Sequence, residues 1–485
     1  MKALRHYLRR FVDGQMVRPL ALAGPVLVLL IALPLLRPLR HPEQMSVEEM
    51  QHLATVRALV EHRSLALDRG YRDIPGVVHT PNGTFSPQPP MMPLLLYPPA
   101  WILDRLGISF DSHQATIAYV LTLLGVTLPV AGAAGLVYRM GRLFELRRPI
   151  RTCLGIAVVS GSGLLSYAVV LNAAAPAAVL ILAAAACLVH VNAMNRDDRR
   201  AGWFALGGAC TALAATLEPA AIVFVVLLLC VIPTMRFSIP RRIAGMIVYL
   251  IGAIPVFALH AAWNIPITDD AIPASVHVAM SNRPSIQAVS LAQRAMLAFD
   301  EYDEQEGSWG HGDAGGRSIT DILLGHASWL ITATVGAHGV LSHFPVLLVG
   351  ILGIGAVMHR HWPSSTKTLA GATGAGAVLV MALYRMARLD WSGAMFASRW
   401  FLIFTPLLLF WAGAWLRRSH GKPAWAAAGA ALAFSVAVGL VGATDPTPAR
   451  GFQRYTAAEA VLRLLGSNPD SQTEAQARAD ALLGR

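Results

Sequence analysis

WFALGGACTALAATLEPAAIVFVVLLLCVIPTM, residues 203–235, holds a single charged side chain, Glu218, in an otherwise uncharged run. A membrane-crossing helix needs about 20 mainly apolar residues, so this run is long for one span and short for two. Pro219 decides between them. Proline has no N–H to give a helix, and it drives the residue before it out of the helical region. The sequence therefore predicts two half-length spans, 203–217 and 220–235, hinged at Glu218-Pro219. One long kinked helix is the alternative, and it would reverse the sidedness of everything downstream.

Outward from this run, further spans are predicted at 19–36, 114–138, 152–170, 174–194, 243–262, 340–358, 369–386, 400–416 and 424–443, eleven in all. Arginine and lysine test the count, because they concentrate in short cytoplasmic connections. With the N terminus inside, the inner connections are 139–151, 195–202, 236–242, 359–367 and 417–423. Each is short and basic; the first carries Arg142, Arg147, Arg148 and Arg151. The two large polar segments, 37–113 and 263–339, then fall together on the outer side. Reading 203–235 as one helix would put the later basic clusters outside, which favours the hinge.

Composition agrees. Of 485 residues, 55% are hydrophobic and only 14% are charged, and the mean hydropathy is +0.52. Soluble domains carry roughly 25% charge, so a soluble globular enzyme is excluded. The net charge of +11 sits in short clusters between apolar runs and not on a soluble basic face, which excludes a nucleic-acid partner. Cys153, Cys187, Cys210 and Cys230 lie in apolar stretches without CxxC spacing, so they read as small buried hydrophobes and not as a disulfide or zinc framework. The expected fold is an all-α polytopic membrane protein of about 11 transmembrane helices, with two extracytoplasmic loops carrying amphipathic interfacial helices. Residues 1–18 form a basic cytoplasmic N terminus. No small-residue cleavage site follows the first apolar core, so it is not read as a signal peptide. Residues 19–443 form the membrane domain, and 444–485 an outer tail, part amphipathic helix and part disordered.

Ser46-Val47-Glu48-Glu49 reads as a helix start, with Ser46 as N-cap and Glu49 completing a capping box. Met50, Leu53, Val56, Leu59 and Val60 recur at helical spacing, predicting an amphipathic helix over 46–63 that lies along the membrane surface. Glu49 has a capping use; Glu48 does not, and it projects near Gln51, His52 and Thr55. A carboxylate in the first turn of a helix is held ionised by the macrodipole, which suits a general base. The alternative is that both glutamates only cap and solvate the helix.

The stretch SVEEMQHLATVRALVEHRSLALD, residues 46–68, resembles the first outer loop of GT-C-type glycosyltransferases. These membrane enzymes use polyprenyl-phosphate-linked sugars and include protein O-mannosyltransferase-like and lipid A aminoarabinose transferase-like proteins. In that resemblance Glu48-Glu49 takes the place of an Asp-Glu pair, His52 an aromatic position, and Arg57 to His62 the run after it. Glu48 stands where aspartate is usual, which lengthens the arm of the carboxylate. Pro81 to Ser86 followed by Pro89 to Leu95 is similar to the family's proline-rich return to the membrane, with Met91 in place of glycine and with Tyr97 and Trp101 as interfacial anchors. Asn82-Gly83-Thr84 matches a glycosylation sequon, but a turn explains it better. Tyr302, Ser308 and Trp309 resemble a second loop element, and His338 to Pro345, including His343, resembles the entry to the next span. Asp390 to Trp400 is similar to the family's last outer loop, with Arg399 at the arginine position, Trp400 replacing tyrosine and Pro406 a later proline. An arginine at a span entrance is costly to desolvate unless paired, and its forked donors suit a phosphate.

The resemblance implies an inverting transfer of a sugar from a polyprenyl-phosphate donor to an envelope acceptor, at the outer face of a bacterial inner membrane. The acceptor class, whether glycan, lipid or protein, stays open. Glu48 and Glu49 would be catalytic. Arg399, His338, Tyr302, Trp309, His52, Arg57, His343 and Asp390 would bind substrate, with Glu48 facing Arg399 across a chamber open to membrane lipids. No metal-ligand set is assigned. His41, Glu48, His52 and His79 have unspecific spacing, and the acidic run Asp300 to Glu306 leaves a divalent cation open. Glu218 reads as a loop acid. A transporter or flippase is the competing class; it predicts internal symmetry and midplane charges, and no repeat is evident. A non-catalytic lipid-binding relative is the third.

Overall fold

The computed structural model describes residues 20–36, 38, 45–67, 74, 76–80, 82–193, 200–280, 319–336, 339–386, 399–417, 420–444, 446 and 457. The basic N terminus, His41, the acidic run, Tyr302, Trp309, His338, Asp390 and most of the tail lie outside the described residues.

The chain begins with α1 (Leu20–Leu35) and α2 (Val47–His62), then a hairpin of β1 (Val78–Thr80) and β2 (Gly83–Phe85), then α3 (Met91–Arg105). Helix α4 (Phe110–Phe144) carries a π-turn at Leu123–Thr127. Next come α5 (Arg148–Gly161), α6 (Ala174–Ala193) and α7 (Arg200–Leu217). Helix α8 (Pro219–Thr234) precedes α9 (Ile239–Thr268), α10 (Ile319–Val335), α11 (Leu347–Met358) and α12 (Ser364–Met386). A 3-10 turn at Arg399–Ile403 leads to α13 (Thr405–Leu416) and α14 (Lys422–Thr444).

The hinge forms where the sequence puts it. Helix α7 stops at Leu217, Glu218 is extended (φ −132°, ψ 105°), and Pro219 opens the next helix. Helical structure occupies all eleven predicted places, but among the described residues five helices (α4, α6, α9, α12 and α14) are long and apolar enough to cross a membrane. A sixth joins them if the bent pair Ala327–His343 and Leu347–Met358 is one span. Helices α1, α7, α8 and α13 are shorter apolar helices. Ile319–Val335, which the sequence reading left inside the second loop, is helical.

Three expectations are corrected. The chain is not wholly α, because the turn at Asn82 closes a hairpin with Val78 opposite Phe85 and His79 opposite Thr84. Asn82 Nδ2 donates to Pro266 O (3.1 Å), so the side chain fastens this turn to the end of α9. Helix α2 is not a surface amphipath, for its polar Glu48, Glu49, Gln51, His52 and Thr55 are as buried as its Leu53 and Val56. Helix α5 ends at Gly161 and not near 170, and a buried segment, mostly non-helical, leads to α6.

Where lipid tails replace water, small residues let helix backbones approach and packing supplies the cohesion. Helices α7 and α9 cross in this way. A Cβ at Gly208 would collide with Tyr249 O, and one at Gly252 with Ala205 O. The Gly252→Val protein should lose about 1–3 kcal/mol, the usual cost of overpacking. Thermal unfolding in detergent would show it; an unchanged midpoint would mean the crossing is loose.

Candidate active site

The buried passage 162–173 positions the site. Backbone groups there must find partners, since burial without them is costly. Thr405 Oγ1 donates to Ser162 O (2.8 Å), Ser166 Oγ to Gly439 O (2.9 Å) and Thr127 Oγ1 to Ala168 O (2.7 Å). Asn172 folds its Nδ2 onto Tyr167 O and Val170 O (both 2.8 Å), and its Oδ1 accepts from Ala175 N (2.8 Å), capping α6. Two further amides of the passage meet carboxylates from α2. Leu171 N donates to Glu49 Oε1 (3.3 Å) and Ala173 N to Glu48 Oε1 (3.2 Å).

Glu49 also closes the capping box. Its Oε2 accepts from Ser46 N (2.8 Å), and Ser46 Oγ accepts from Glu49 N (3.2 Å). Both its oxygens are therefore engaged with backbone. Glu48 Oε2 forms an ion pair with Arg399 Nη2. His52 Nε2 lies 3.5 Å from Glu48 Oε1, one helical turn away and long for a hydrogen bond. The group is closed to solvent, with Glu48 5%, His52 0% and Arg399 4% exposed. Glu48 and Arg399 are thus in direct contact, with no chamber between them, contrary to the sequence expectation.

Burial pushes the Glu48 carboxyl up. The Arg399 guanidinium, His52 and the Ala173 amide outweigh that and hold it below its usual 4.5. Its stabilising contribution is present above pH 4.5 and is lost as pH falls through the lowered value.

Arg399 opens the 3-10 turn and lays its guanidinium over the Trp400 ring, 4.5 Å from Cζ to centroid. Its Nε has no hydrogen-bond partner among the described residues. The Trp400 ring in turn lies 5.3 Å from Tyr384. Tyr384 OH donates to Glu218 Oε1 (2.9 Å), and Glu218 is itself 5% exposed. Read from sequence as a loop acid, Glu218 is a second carboxylate in the electrostatic field of Arg399 and Glu48. The signal was present: an acid in a long apolar run needs a partner, but nothing local names Tyr384.

Burial raises the Glu218 carboxyl to about 7, with Arg399 and Tyr384 opposing the rise and Glu48 adding to it. Such an acid binds its proton more tightly when folded. Stability should therefore fall as pH rises from 4.5 to 7, by about 1.4 kcal/mol per unit, and level off above. Thermal unfolding across that window should show the slope in the wild type and lose it in Glu218→Gln. Equal slopes would place the titration elsewhere.

The other predicted site residues sit apart from this contact. Arg57 Nε donates to Glu61 Oε1 (2.8 Å) and its Nη2 to Asp111 Oδ1 (2.6 Å), a partly exposed tie between α2 and α4. His343 is fully buried in a one-turn helix, and its Nδ1 bonds Gly339 O (3.0 Å). His79 Nδ1 contacts Thr84 Oγ1 (3.0 Å) within the hairpin. Among the described residues, no three His, Cys, Asp or Glu side chains gather as metal ligands.

No protein-family model matches the chain, and neither does any curated protein sequence. Solved structures do. An oligosaccharyltransferase from Archaeoglobus fulgidus, tethered to an acceptor peptide containing the NVT sequon, matches with a TM-score of 0.50 at 11% identity, over 89% of this chain and 56% of that one. The archaeal oligosaccharyltransferase AglB from Archaeoglobus fulgidus, in complex with an inhibitory peptide and a dolichol-phosphate, gives a TM-score of 0.49 at 11% identity, over 88% of this chain and 56% of that one. ArnT from Cupriavidus metallidurans bound to undecaprenyl phosphate gives 0.47 at 14% identity, over 91% and 70%. The chain therefore spans a little over half the length of the oligosaccharyltransferases it matches. At such identity the likeness is one of architecture, and the chain has the GT-C fold that its motifs led us to expect.

Proposed function

We propose that the chain is a membrane glycosyltransferase that moves a sugar from a polyprenyl-phosphate donor to an envelope acceptor at the outer face of the cytoplasmic membrane. The observation carrying this reading is the buried contact of Glu48 with Arg399, which joins the first-loop acid of the family resemblance to its last-loop arginine. In this reading the contact is the resting state. Arg399 Nε has no partner among the described residues, and a lipid phosphate approaching it would take over the guanidinium. Glu48 is thereby released as a base. Its carboxylate takes the acceptor proton while the acceptor oxygen or nitrogen attacks the anomeric carbon opposite the phosphate. The new bond forms as the carbon–oxygen bond to phosphate breaks. The electron pair leaves on polyprenyl phosphate, whose growing charge Arg399 stabilises. The displacement inverts the anomeric centre through an oxocarbenium-like transition state, as in glycosidases. Glu49 holds the start of α2 through the capping box and Leu171, while His52 packs beside the base. The roles suggested for His338, Tyr302, Trp309 and Asp390 belong to the donor side of this proposal.

The same contact favours a second reading, a buried ion pair that only braces α2 against the 3-10 turn. Mass spectrometry of reactions containing purified protein, a polyprenyl-phosphate-linked sugar and envelope extract separates the two. Transfer that requires the Glu48 carboxylate supports the enzyme. A folded protein that leaves every sugar donor intact supports the brace.

A further inference from the structure

Helix α5 runs from the passage beside Glu48 to a second charged place at its opposite end, and the proposed chemistry does not use that place. There a cavity of about 310 Å³ is lined by Arg142, Glu145, Leu146, Arg148 and Arg151. That volume lies within the range of about 300–1,000 Å³ typical of ligand sites. The lining carboxylate is already engaged, because Arg417 Nη2 donates to Glu145 Oε2 at 2.6 Å.

Arg151 is the decisive residue. It is only 7% exposed, and its Nε and Nη1 have no hydrogen-bond partner among the described residues. One face of the guanidinium is covered by Tyr138, with Cζ 4.7 Å from the ring centroid. The aliphatic stem lies against Gly141, where an added Cβ would stand 3.0 Å from Arg151 Cγ. A glycine and an aromatic ring thus seat a buried cation whose Nε and Nη1 find no acceptor among the described residues. Leaving such donors unmet is costly. Burial, and then the repulsion of Arg142 and Arg148, also push the Arg151 guanidinium below its usual range. The backbone adds to the same field. Arg151 sits in the first turn of α5, a helix of 14 residues whose N-cap, Arg147, makes no side-chain capping bond. The positive end of the helix dipole therefore lies at the same place.

We propose that this cavity binds a phosphate group, taken by the fork of Arg151 and enclosed by Arg142 and Arg148. Planar guanidinium donors match phosphate oxygens in pairs. The bound group is either the headgroup phosphate of an anionic membrane lipid or inorganic phosphate, and basic pockets between membrane helices suit the former.

The test uses the full chain purified in neutral detergent and two probes. In one arm inorganic phosphate is titrated against chloride at equal ionic strength, with thermal unfolding as the readout. In the other the protein is placed in bilayer discs of phosphatidylglycerol or of phosphatidylcholine, and lipid retained after extraction is counted by native mass spectrometry. Arg142→Gln/Arg148→Gln changes two residues that are not buried, and its unfolding midpoint without ligand checks that the fold is retained. Arg151→Lys keeps the buried charge and removes the fork. Each lost charge-assisted bond should weaken binding about tenfold. Saturable stabilisation by inorganic phosphate supports a free anion. Retention of phosphatidylglycerol alone supports a lipid headgroup. Equal behaviour of wild type and both variants toward both probes overturns the proposal, as does the absence of saturable binding in the wild type.

Discussion

The Glu48→Gln protein is expected to lose sugar transfer by about 10²–10⁴-fold, the usual worth of a positioned general base, while its affinity for the donor phosphate stays level or rises. Both effects follow from one contact. The Glu48 carboxylate is the charge that Arg399 now neutralises, so an amide in its place removes the base and frees the guanidinium together. The neutral amide keeps an oxygen for Ala173 N, which donates to Glu48 Oε1 in the wild type. Glu48→Asp retains the charge that the resemblance assigns to this place and should retain transfer. If Glu48 is only a brace, Gln should lower stability without separating donor binding from turnover. Initial rates with a polyprenyl-phosphate-linked sugar, alongside equilibrium binding of polyprenyl phosphate, would show which pattern holds.

The second large effect concerns stability. Arg399→Met leaves Glu48 buried without its counter-charge, and breaking a buried pair from one side costs about 3–5 kcal/mol. The same variant loses a phosphate donor, which typically raises a barrier by about 2.7–4 kcal/mol. Removing both charges has a different consequence. Replacing a buried ion pair by neutral side chains of similar size is often neutral or stabilising. Glu48→Gln/Arg399→Met should therefore regain most of the stability that Arg399→Met loses, and none of the activity. A double-mutant cycle on thermal unfolding and on turnover reads both quantities from four proteins. Activity that returns together with stability would reduce the pair to scaffolding.

What the sequence revealed, it revealed through local rules. Pro219 disfavours helical geometry at Glu218 and withholds an N–H from the ladder, so the hinge between α7 and α8 was legible without any partner, although Pro255 stays inside α9. Ser46 and Glu49 are three residues apart, and the capping box closes between them alone. The course of 162–173 was not legible, because Thr127, Thr405, Glu48 and Glu49 satisfy its backbone from far along the chain, and its Ser166 hydroxyl reaches out to Gly439 O. The burial of α2 was hidden for the same reason. Gln51 and Thr55 look solvated in sequence, but Gln88 Nε2 donates to Gln51 Oε1 (3.3 Å), and Thr55 Oγ1 turns back on Gln51 O (2.8 Å).

The candidate site divides in the same manner. Family motifs pointed to Glu48 and Arg399, which the fold brings into contact. They also pointed to Arg57, which ties α2 to α4 and sits apart from that contact. Glu218 and Tyr384, which no motif joined, form a hydrogen-bonded pair beside Trp400. Span length was the other blind spot. Apolar composition marks where helices lie, but breaks at Gly161 and at Phe344-Pro345 interrupt the apolar runs and shorten the helices below crossing length.

In the proposed mechanism Arg399 exchanges the Glu48 carboxylate for a lipid phosphate. Equilibrium binding of polyprenyl phosphate to Glu48→Gln and to Glu48→Gln/Arg399→Met tests it most directly, since neither protein carries the competing acid and the double variant keeps its fold. We expect tight binding by the single variant and at least about a tenfold loss in the double variant, the worth of one charge-assisted contact. Equal affinity in the two would show that the phosphate is held elsewhere and would contradict the account.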